Sequence, residues 1–362
     1  MQTQIVTVTG YSSSGEGVAR LDDGRVVFIS GAARGDILEI MLTKEQARSA
    51  NADIVQIVSP SQHRIEPECA FYPGCGGCDF QHLTYEEELD LKLQRVNDAF
   101  SRIGKSAARV GEIFCTGQTG GYRNKATFHS DGISLGYYRA RSHDIIPIDR
   151  CLLLKDDLNN MLKSLVPGRG VTIRSGRNGL TPPLEEELDG LVYKVSGFFQ
   201  VNTEAALLLF KKVREYAAMS KKETLLDMCC GVGSMTLFVG RDAGKAFGVE
   251  QDAIAVKTAR ENARRNNMPH VGFYRADIAQ WKSNGLKPDC VIVDPPRNGL
   301  SREAVYKILE LSPKRIVYVS CDPATLARDL GALKGYSVRE ACAIDMFPRT
   351  ANVECCCLLF KD

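Results

Sequence analysis

The sequence predicts an α/β domain with a mainly parallel sheet, preceded by a small β-barrel and a central β-rich region. Three observations support this fold class. Apolar strand patterns alternate with helix patterns from about residue 202 onward, short strands separated by glycines fill the first 60 residues, and strands and turns return between 120 and 200. Alternating strands and helices indicate a parallel sheet covered on both faces. Short, evenly spaced strands indicate a barrel.

The length of 362 residues predicts two or three domains of roughly 150 residues each. We expect an OB-like barrel, a central β domain in two segments, and a Rossmann-like α/β domain that also takes up one earlier helix. The expected limits are 1–60 for the barrel, 61–82 and 105–190 for the central domain, and 83–104 and 191–362 for the α/β domain.

Composition places the chain among ordinary globular proteins. It is 44% hydrophobic and 25% charged, which argues against wholesale disorder or a coiled coil. Forty-six basic and 44 acidic side chains leave a net charge of +2, so a nucleic-acid site must be a local patch. No apolar run approaches the roughly 18 residues that span a bilayer, and MQTQIVTVTG lacks signal-peptide features. We therefore expect a soluble, cytoplasmic protein without membrane association, and no obligate protein partner is evident.

The barrel is predicted from five short strands that glycines separate. It carries five Lys or Arg against seven Asp or Glu, so contact with RNA and a purely structural role both stay open. The five strands are Ile5–Val8, Gly17–Leu21, Val26–Ile29, Ile37–Leu42 and Ile54–Val58.

A helix follows at 83–104, where Thr84 can cap the first turn and Glu87 can complete a capping box. The stretch 101–150 then contains eight Lys or Arg against four acids, with aromatic residues among them. Such a mixture suits a surface that holds phosphates and stacks on bases. A solvated sheet face would give the same pattern.

Within the α/β domain, the apolar strand 224–228 leads into the turn Gly231-Val232-Gly233 and a helix. Ligands bind at the carboxyl ends of the strands in open α/β sheets. Acids follow three successive strands, namely Glu250, Asp277 and Asp294. Three acids in this arrangement fit S-adenosylmethionine, which carries a positive charge, a ribose and an adenine, better than a dinucleotide. Helix capping is the alternative role for such acids.

Two further motifs indicate the chemistry. Arg297 follows Asp294-Pro295-Pro296 where amino-methylating enzymes commonly have an aromatic residue, which favours stabilisation of an oxygen. Cys321 follows an apolar strand and precedes a helix, so we expect a thiol whose pKa lies below the usual value of about 8.5. Addition of this thiolate to C6 of uracil would make C5 nucleophilic enough to accept a methyl group. Glu354 is the candidate base for removing the C5 proton.

The chain contains thirteen cysteines, which we expect to stay reduced in the absence of an export signal. Four of them have a three-plus-one spacing that resembles iron–sulfur ferredoxins, although four thiolates also make a zinc site. These are Cys69, Cys75, Cys78 and Cys151. The run Cys355–Cys357 is interpreted as core filling.

In its ordered motifs the chain resembles the bacterial RNA 5-methyluridine methyltransferases, specifically the 23S ribosomal RNA (uracil-C5) type with a TRAM-like barrel and an iron–sulfur cluster. The resemblance covers essentially the whole length. It depends on GEGVAR, CAFYPGCGGCDFQH, YRNKA, GYYRARSHDIIPIDRC, FFQVN, LLDMCCGVG, DPPRNGL, SCDPATLARDL and FPRTANVE.

The resemblance implies a role for each candidate residue. Cys321 would be the nucleophile and Glu354 the base, while Asp294 and Arg297 would serve the target uracil. The methyl-donor pocket would contain Gln200, Cys229, Ser234, Glu250, Asp277 and Asp294. The four cysteines would hold a [4Fe–4S] cluster, with zinc as the alternative. Ribosomal RNA is the expected substrate, with transfer RNA and a catalytically silent RNA-binding protein as the rival interpretations.

The sequence departs from the family pattern at three positions. The family commonly has an aromatic residue where Cys229 stands, and histidines where Arg349 and Asn352 stand. The surroundings of both the donor and Glu354 are therefore expected to differ from those of the family.

Overall fold

The computed structural model describes residues 3–105 and 108–362, whose strands form four sheets. The first sheet is a barrel in which the strands lie in the order β1-β5-β6-β4-β3-β2. β2 follows β1 after two residues and pairs with β3, whereas β1 pairs with β5, so the two ends of the sheet meet. The strands are β1 (Thr3–Thr7), β2 (Gly10–Tyr11), β3 (Gly17–Arg20), β4 (Val26–Ile29), β5 (Ile37–Glu45) and β6 (Ser49–Ser59).

The predicted OB-like barrel is confirmed, with the short β2 as an addition. β4 and β6 pair in parallel and the other neighbours pair antiparallel. Alternate residues of the strands turn inward, so Val27, Ile29, Leu38 and Ile40 are fully buried.

The helix α1 (Tyr85–Arg102) connects the barrel to the rest of the molecule. The Thr84 hydroxyl caps it by accepting from the Glu87 N–H at 3.3 Å. The Glu87 carboxylate does not complete a capping box as expected. It accepts from the Tyr11 hydroxyl at 2.9 Å and pairs with Arg34 at 2.7 Å, because these barrel groups compete successfully for its two oxygens. Glu87 therefore links α1 to the barrel.

The central region is a four-stranded antiparallel sheet in the order β10-β9-β8-β11, with α2 beside it. Phe128, Leu154, Leu158 and Ile173 share its core. Its elements are β8 (Lys125–Ser130), β9 (Leu135–Tyr138), β10 (Ile145–Pro147), α2 (Asp156–Leu162) and β11 (Val171–Arg174).

Two elements differ from the expected limits of the central region. β7 (Ile113–Phe114) pairs with a strand of the large α/β sheet. The hairpin of β12 (Glu185–Leu188) and β13 (Leu191–Lys194) spans the expected boundary at residue 190. The short β7 has only two residues, so the sequence shows no strand periodicity there. The strands β12 and β13 pair with each other, so the hairpin belongs to one unit although the expected boundary falls inside it. The domain limits therefore stay a prediction.

The α/β domain contains an eight-stranded mixed sheet in the order β16-β15-β14-β17-β18-β20-β19-β7. β14 to β18 are parallel, and β20 lies antiparallel between β18 and β19. The elements are α3 (Thr203–Ala217), β14 (Thr224–Met228), α4 (Ser234–Gly240), β15 (Lys245–Glu250), α5 (Ala253–Arg265), β16 (Val271–Arg275), β17 (Cys290–Val293), α6 (Arg302–Leu311), β18 (Arg315–Ser320), α7 (Pro323–Ala332), β19 (Tyr336–Ile344) and β20 (Glu354–Lys361).

Helices cover this sheet on both faces, as the alternating pattern predicts. Leu225, Ile292 and Val317 belong to one hydrophobic cluster, while their neighbours Leu226, Val291 and Tyr318 belong to another. Cys355 and Cys357 share one of these clusters and Cys356 the other, all fully buried. In the described part of the chain, no helix is both long and apolar enough to cross a membrane.

Candidate active site

The predicted site residues of the α/β domain meet at the carboxyl edge of its sheet. β14 and β17 are neighbours, and the chain leaves them in opposite directions across the sheet. This strand order creates a crevice at a switch point, where α/β proteins bind ligands. Five residues at or just beyond the carboxyl ends of five parallel strands lie along this edge, namely Cys229, Glu250, Asp277, Asp294 and Cys321.

A tight turn after β14 opens one half of the crevice. Cys229, Gly231 and Gly233 all have positive φ values, of 71°, 54° and 79°. A Cβ at Gly233 would lie 2.7 Å from the Phe273 ring, whereas a Cβ at Gly231 would meet no atom within 4 Å. Glycine is therefore required at 233 for packing, and at 231 the backbone faces open space where a ligand can approach.

Glu250 anchors this turn. Its Oε2 accepts from the Gly231 N–H at 3.1 Å and its Oε1 from the Asp252 N–H at 2.9 Å. Each carboxylate oxygen has further lone pairs that can accept from a ligand. Glu250 therefore fits the binding of adjacent hydroxyl groups without disturbing the turn.

Cys229 lies among the acids of the crevice. Burial, followed by the carboxylates of Asp227, Asp294 and Glu250, raises the pKa of its thiol to about 12. The side chain is therefore a small neutral group on the crevice wall. Asp277 is exposed beyond β16, where its Oδ1 accepts from the Ala279 N–H at 2.8 Å.

The structure adds Asp227 and Thr236 to this half of the site. Asp227 is 1% exposed, and the Thr236 hydroxyl donates to its Oδ2 at 2.5 Å. Burial raises the pKa of the Asp227 carboxyl to about 7. A carboxyl within the apolar strand LLDM is the sequence signal for Asp227, which was not among the predicted site residues.

Two predicted donor-pocket residues lie at the margin of this half. Ser234 begins α4 directly after the turn. Gln200 is buried before α3. Its backbone carbonyl accepts from the Asn124 side chain at 3.2 Å and from the Arg174 side chain at 3.0 Å. Among the hydrogen bonds of the described residues, none joins either side chain to the acids of the crevice.

The other half of the crevice brings Cys321 and Glu354 together. Ser320 at the end of β18 pairs with Cys355 of the antiparallel β20. Cys321 and Glu354 are the next residues in this register, so they adjoin each other at the sheet edge. Arg297 lies nearby, and its Nη2 donates to the Asn352 Oδ1 at 3.1 Å.

Burial raises the pKa of two carboxyl groups in this half of the crevice. Glu354 is 5% exposed. Burial and then the Asp294 carboxyl raise the pKa of Glu354 to about 8, and burial raises the pKa of Asp294 to about 7. Both groups can therefore exchange protons near neutral pH.

The thiol of Cys321 does not have the lowered pKa that we expected. Burial and the neighbouring Glu354 raise its pKa, and these effects outweigh the opposing Arg297. The amino end of α7 does not lower the pKa of Cys321, since the Asp322 side chain already accepts from the Thr325 N–H at 2.8 Å. The thiol is therefore protonated before substrate arrives.

The four cysteines of the predicted metal site line one cavity of about 1030 Å³. In Cys78, burial and then Cys151, Cys75 and Cys69 raise the thiol pKa to about 12, so the four groups are close enough to influence one another. Within 3–105 and 108–362, no three His, Cys, Asp or Glu side chains are arranged as ligands of a metal ion.

The same cavity contains five of the eight Lys and Arg residues that the sequence places in 101–150, together with aromatic residues from the same stretch. The barrel segment 14–16 forms part of its wall. The rings of His129 and Tyr138 stack at 3.8 Å between centroids. The basic residues that line the cavity are Arg123, Lys125, His129, Arg139, Arg141 and Arg150.

The crevice at the sheet edge and the attached barrel agree with two family profiles. A profile described as tRNA (Uracil-5-)-methyltransferase matches residues 189–362, and the TRAM domain profile matches residues 1–55.

Two curated relatives extend this match to nearly the whole chain. An uncharacterized RNA methyltransferase of Caldanaerobacter subterraneus subsp. tengcongensis is 33% identical and covers 96% of both chains. Another from Clostridium tetani is 30% identical and covers 96% of this chain and 94% of the relative. The chain therefore belongs to this RNA methyltransferase family, with a uracil-5-methyltransferase domain at 189–362.

A solved structure shares the fold over nearly the whole length. It is the Pyrococcus abyssi tRNA (uracil-54, C5)-methyltransferase in complex with S-adenosyl-L-homocysteine. Its TM-score is 0.77 at 25% identity, over 98% of this chain and 100% of that one. The prediction of a Rossmann-like methyltransferase domain with a TRAM-like barrel is thereby confirmed.

Proposed function

We propose that the protein transfers a methyl group from S-adenosylmethionine to C5 of a uridine in RNA, through a covalent bond between Cys321 and C6. The observation that carries this proposal is the adjacent placement of Cys321 and Glu354 across β18 and β20. Arg297 and Asp294 lie on the same side, and the turn anchored by Glu250 lies on the other.

The donor would lie in the half of the crevice that contains Glu250. Its ribose hydroxyls would donate to the Glu250 carboxylate, and Asp277 would contact the adenine. Gln200, Cys229, Ser234 and Asp294 would line the remaining surface. The open space at Gly231 supports this placement, and the S-adenosyl-L-homocysteine in the Pyrococcus abyssi enzyme supports S-adenosylmethionine as the donor.

The donor supplies an electrophilic methyl group, and the protein side chains supply the rest of the chemistry. Cys321 gives up its proton to solvent as its sulfur forms a bond to C6, which moves the electron pair of the C5–C6 double bond into an enolate that Arg297 stabilises. C5 then attacks the methyl group, whose bond to the sulfur of the donor breaks, so that S-adenosylhomocysteine leaves. Glu354 removes the C5 proton, the double bond re-forms, and the thiolate of Cys321 leaves.

The RNA substrate is proposed to be 23S ribosomal RNA, on the family resemblance of the four-cysteine motif. The likeness to a transfer RNA enzyme over the full length supports transfer RNA as the second candidate. The barrel does not distinguish the two substrates, since the likeness to that transfer RNA enzyme extends over 98% of this chain. Loss of 5-methyluridine from ribosomal RNA alone in a deletion strain would support the first, and loss from transfer RNA alone the second. Unchanged 5-methyluridine in both would contradict the proposed function.

Cys69, Cys75, Cys78 and Cys151 are proposed to hold a [4Fe–4S] cluster that ties the 69–78 loop to the central sheet. All four line one cavity, and the Arg123 Nε in that cavity is buried without a hydrogen-bond partner among the described residues. An anionic cluster would complement this charge. A four-iron cluster also separates its thiolates more widely than one zinc ion does. Methyl transfer needs no electron, so the role assigned to the cluster is structural.

Anaerobically purified protein should then contain about four irons and absorb broadly near 400 nm. Metal analysis and an absorption spectrum check this prediction. Stoichiometric zinc without iron would contradict it.

A further inference from the structure

The loop between β19 and β20 controls the surroundings of Cys321. It contains Arg349 and Asn352 and leads directly into Glu354. The Asn352 Oδ1 accepts from the Arg297 Nη2 at 3.1 Å, and Arg297 acts on the Cys321 thiol. The loop at 349–352 therefore contacts Arg297 directly through Asn352.

The segment directly after Cys78 contacts this loop through both donors and acceptors. The N–H groups of Asp79 and Phe80 donate to the Arg349 carbonyl at 2.9 and 3.2 Å. The Asp79 Oδ2 accepts from the Ala351 N–H at 2.8 Å. Ala351 also packs against the buried cluster to which Phe80 belongs. Two backbone contacts, one carboxylate contact and one apolar contact thus fix the loop.

The loop conformation needs such contacts because it is strained. Arg349 has a φ of +69°, a value that non-glycine residues adopt only where surrounding structure imposes it. The helix α1 makes further contacts with the loop, on the side opposite Asp79. The Arg349 N–H donates to the Glu88 Oε1 at 2.7 Å, and Arg95 donates to the Ala351 carbonyl. The loop is therefore held between α1 and the segment 69–80, which contains Cys69, Cys75 and Cys78 and is called the cysteine-containing segment below.

We propose that Asp79 is a positioning residue for catalysis, because it holds Ala351 and thereby keeps Asn352 against Arg297 beside Cys321. This inference rests on the proposed covalent mechanism. It gives the cysteine-containing segment a second role, which is to set the geometry of the loop 349–352, called the active-site loop below. The Glu250 half of the crevice lies outside these contacts.

The test compares Asp79→Ala, which removes the acceptor, with Asp79→Asn, which keeps an oxygen at that position. In single-turnover reactions with RNA, Asp79→Ala should form the Cys321–RNA adduct about tenfold more slowly, and Asp79→Asn should stay within about twofold of the unaltered protein. The KM for S-adenosylmethionine should stay unchanged in both. Asp289→Ala is a matched control, since the Asp289 Oδ2 also accepts a backbone N–H, from Thr224 at 2.9 Å, at the opposite edge of the sheet.

A double-mutant cycle separates positioning from general destabilisation. If Asp79 acts through Asn352, Asp79→Ala should slow adduct formation no further in an Asn352→Ala background. Additive losses would overturn the inference, as would a normal rate in Asp79→Ala or equal losses in Asp79→Ala and Asp79→Asn. Normal turnover by Cys321→Ala would instead overturn the proposed function itself, so the two failures are distinguishable.

Discussion

Glu354 illustrates how a single position determines the chemistry of the site. It is the first residue of β20 and is 5% exposed. Burial raises the pKa of its carboxyl to about 8. A general base is most effective when its pKa lies near the working pH, because it is then both strong and partly deprotonated. Burial therefore gives an ordinary carboxyl the strength that proton removal from C5 requires.

The rate of product release should depend on pH through this group. Below pH 8 Glu354 is protonated and cannot accept the C5 proton, so release should rise about tenfold per pH unit and level off above 8. The measurement forms the methylated adduct at pH 6, transfers it to higher pH and follows the free 5-methyluridine RNA. Glu354→Gln is the control and should release no product at any pH. A release rate that is flat from pH 6 to 9 would rule out Glu354 as the base.

At the residue scale, sequence order predicted the candidates but not their protonation. Cys321 was expected to have a lowered pKa because it precedes a helix. The structure raises the pKa, since burial and Glu354 outweigh Arg297. Glu354 belongs to β20, which is distant in sequence from Cys321. Arg349 and Asn352, which depart from the family pattern, bind Glu88 and Arg297 respectively.

At the scale of elements, α1 shows a feature that apolar periodicity does not reveal. The expected apolar face includes Val96 and Phe100, which are buried. The same helix buries Lys92, whose Nζ donates to the Glu88 Oε1 at 2.7 Å and to the Asp345 Oδ1 at 2.6 Å. All three side chains are 0% exposed. The α1 helix is thus joined to the end of β19 by a buried ionic network.

Removing the cation from this network should destabilise the fold. Lys92→Met leaves the Asp345 carboxyl buried without its counter-charge and leaves Glu88 with Arg349 alone, at 3.5 Å, and such a change costs about 3–5 kcal/mol. Chemical denaturation monitored by circular dichroism measures the loss. Lys307→Met is the matched control because Lys307 pairs with Glu310 on the surface, where an ion pair contributes about 0–1 kcal/mol. Equal stability of the two variants would contradict the assigned role of the network.

The elements themselves were largely predictable because each long strand or helix has a distinct period. The five parallel strands of the α/β domain appear where the apolar runs indicated. β2 and β7 were not predicted, since each has only two residues. Their existence depends on partners elsewhere, β3 for one and β19 for the other.

At the scale of the whole molecule, the barrel, the cysteine-containing segment and the central sheet enclose one basic cavity. The sequence indicated each of these parts separately, from strand spacing, cysteine spacing and the charge of 101–150. It could not indicate that Ser14, Cys75 and Arg139 line the same space. That arrangement depends on long-range packing, including the contacts of Glu87 with the barrel and of Asp79 with the active-site loop.

The most direct test of the account is the covalent intermediate. Glu354→Gln protein, incubated with RNA and S-adenosylmethionine, should yield a protein–RNA adduct that survives denaturing gel electrophoresis, because the C5 proton has no acceptor and the Cys321 thiolate cannot leave. The adduct should require the donor and should disappear in the double variant with Cys321→Ala. Cys115→Ala, a change at a partly buried cysteine outside the crevice, should leave it unaffected. Full turnover by Cys321→Ala protein would contradict covalent catalysis through this residue.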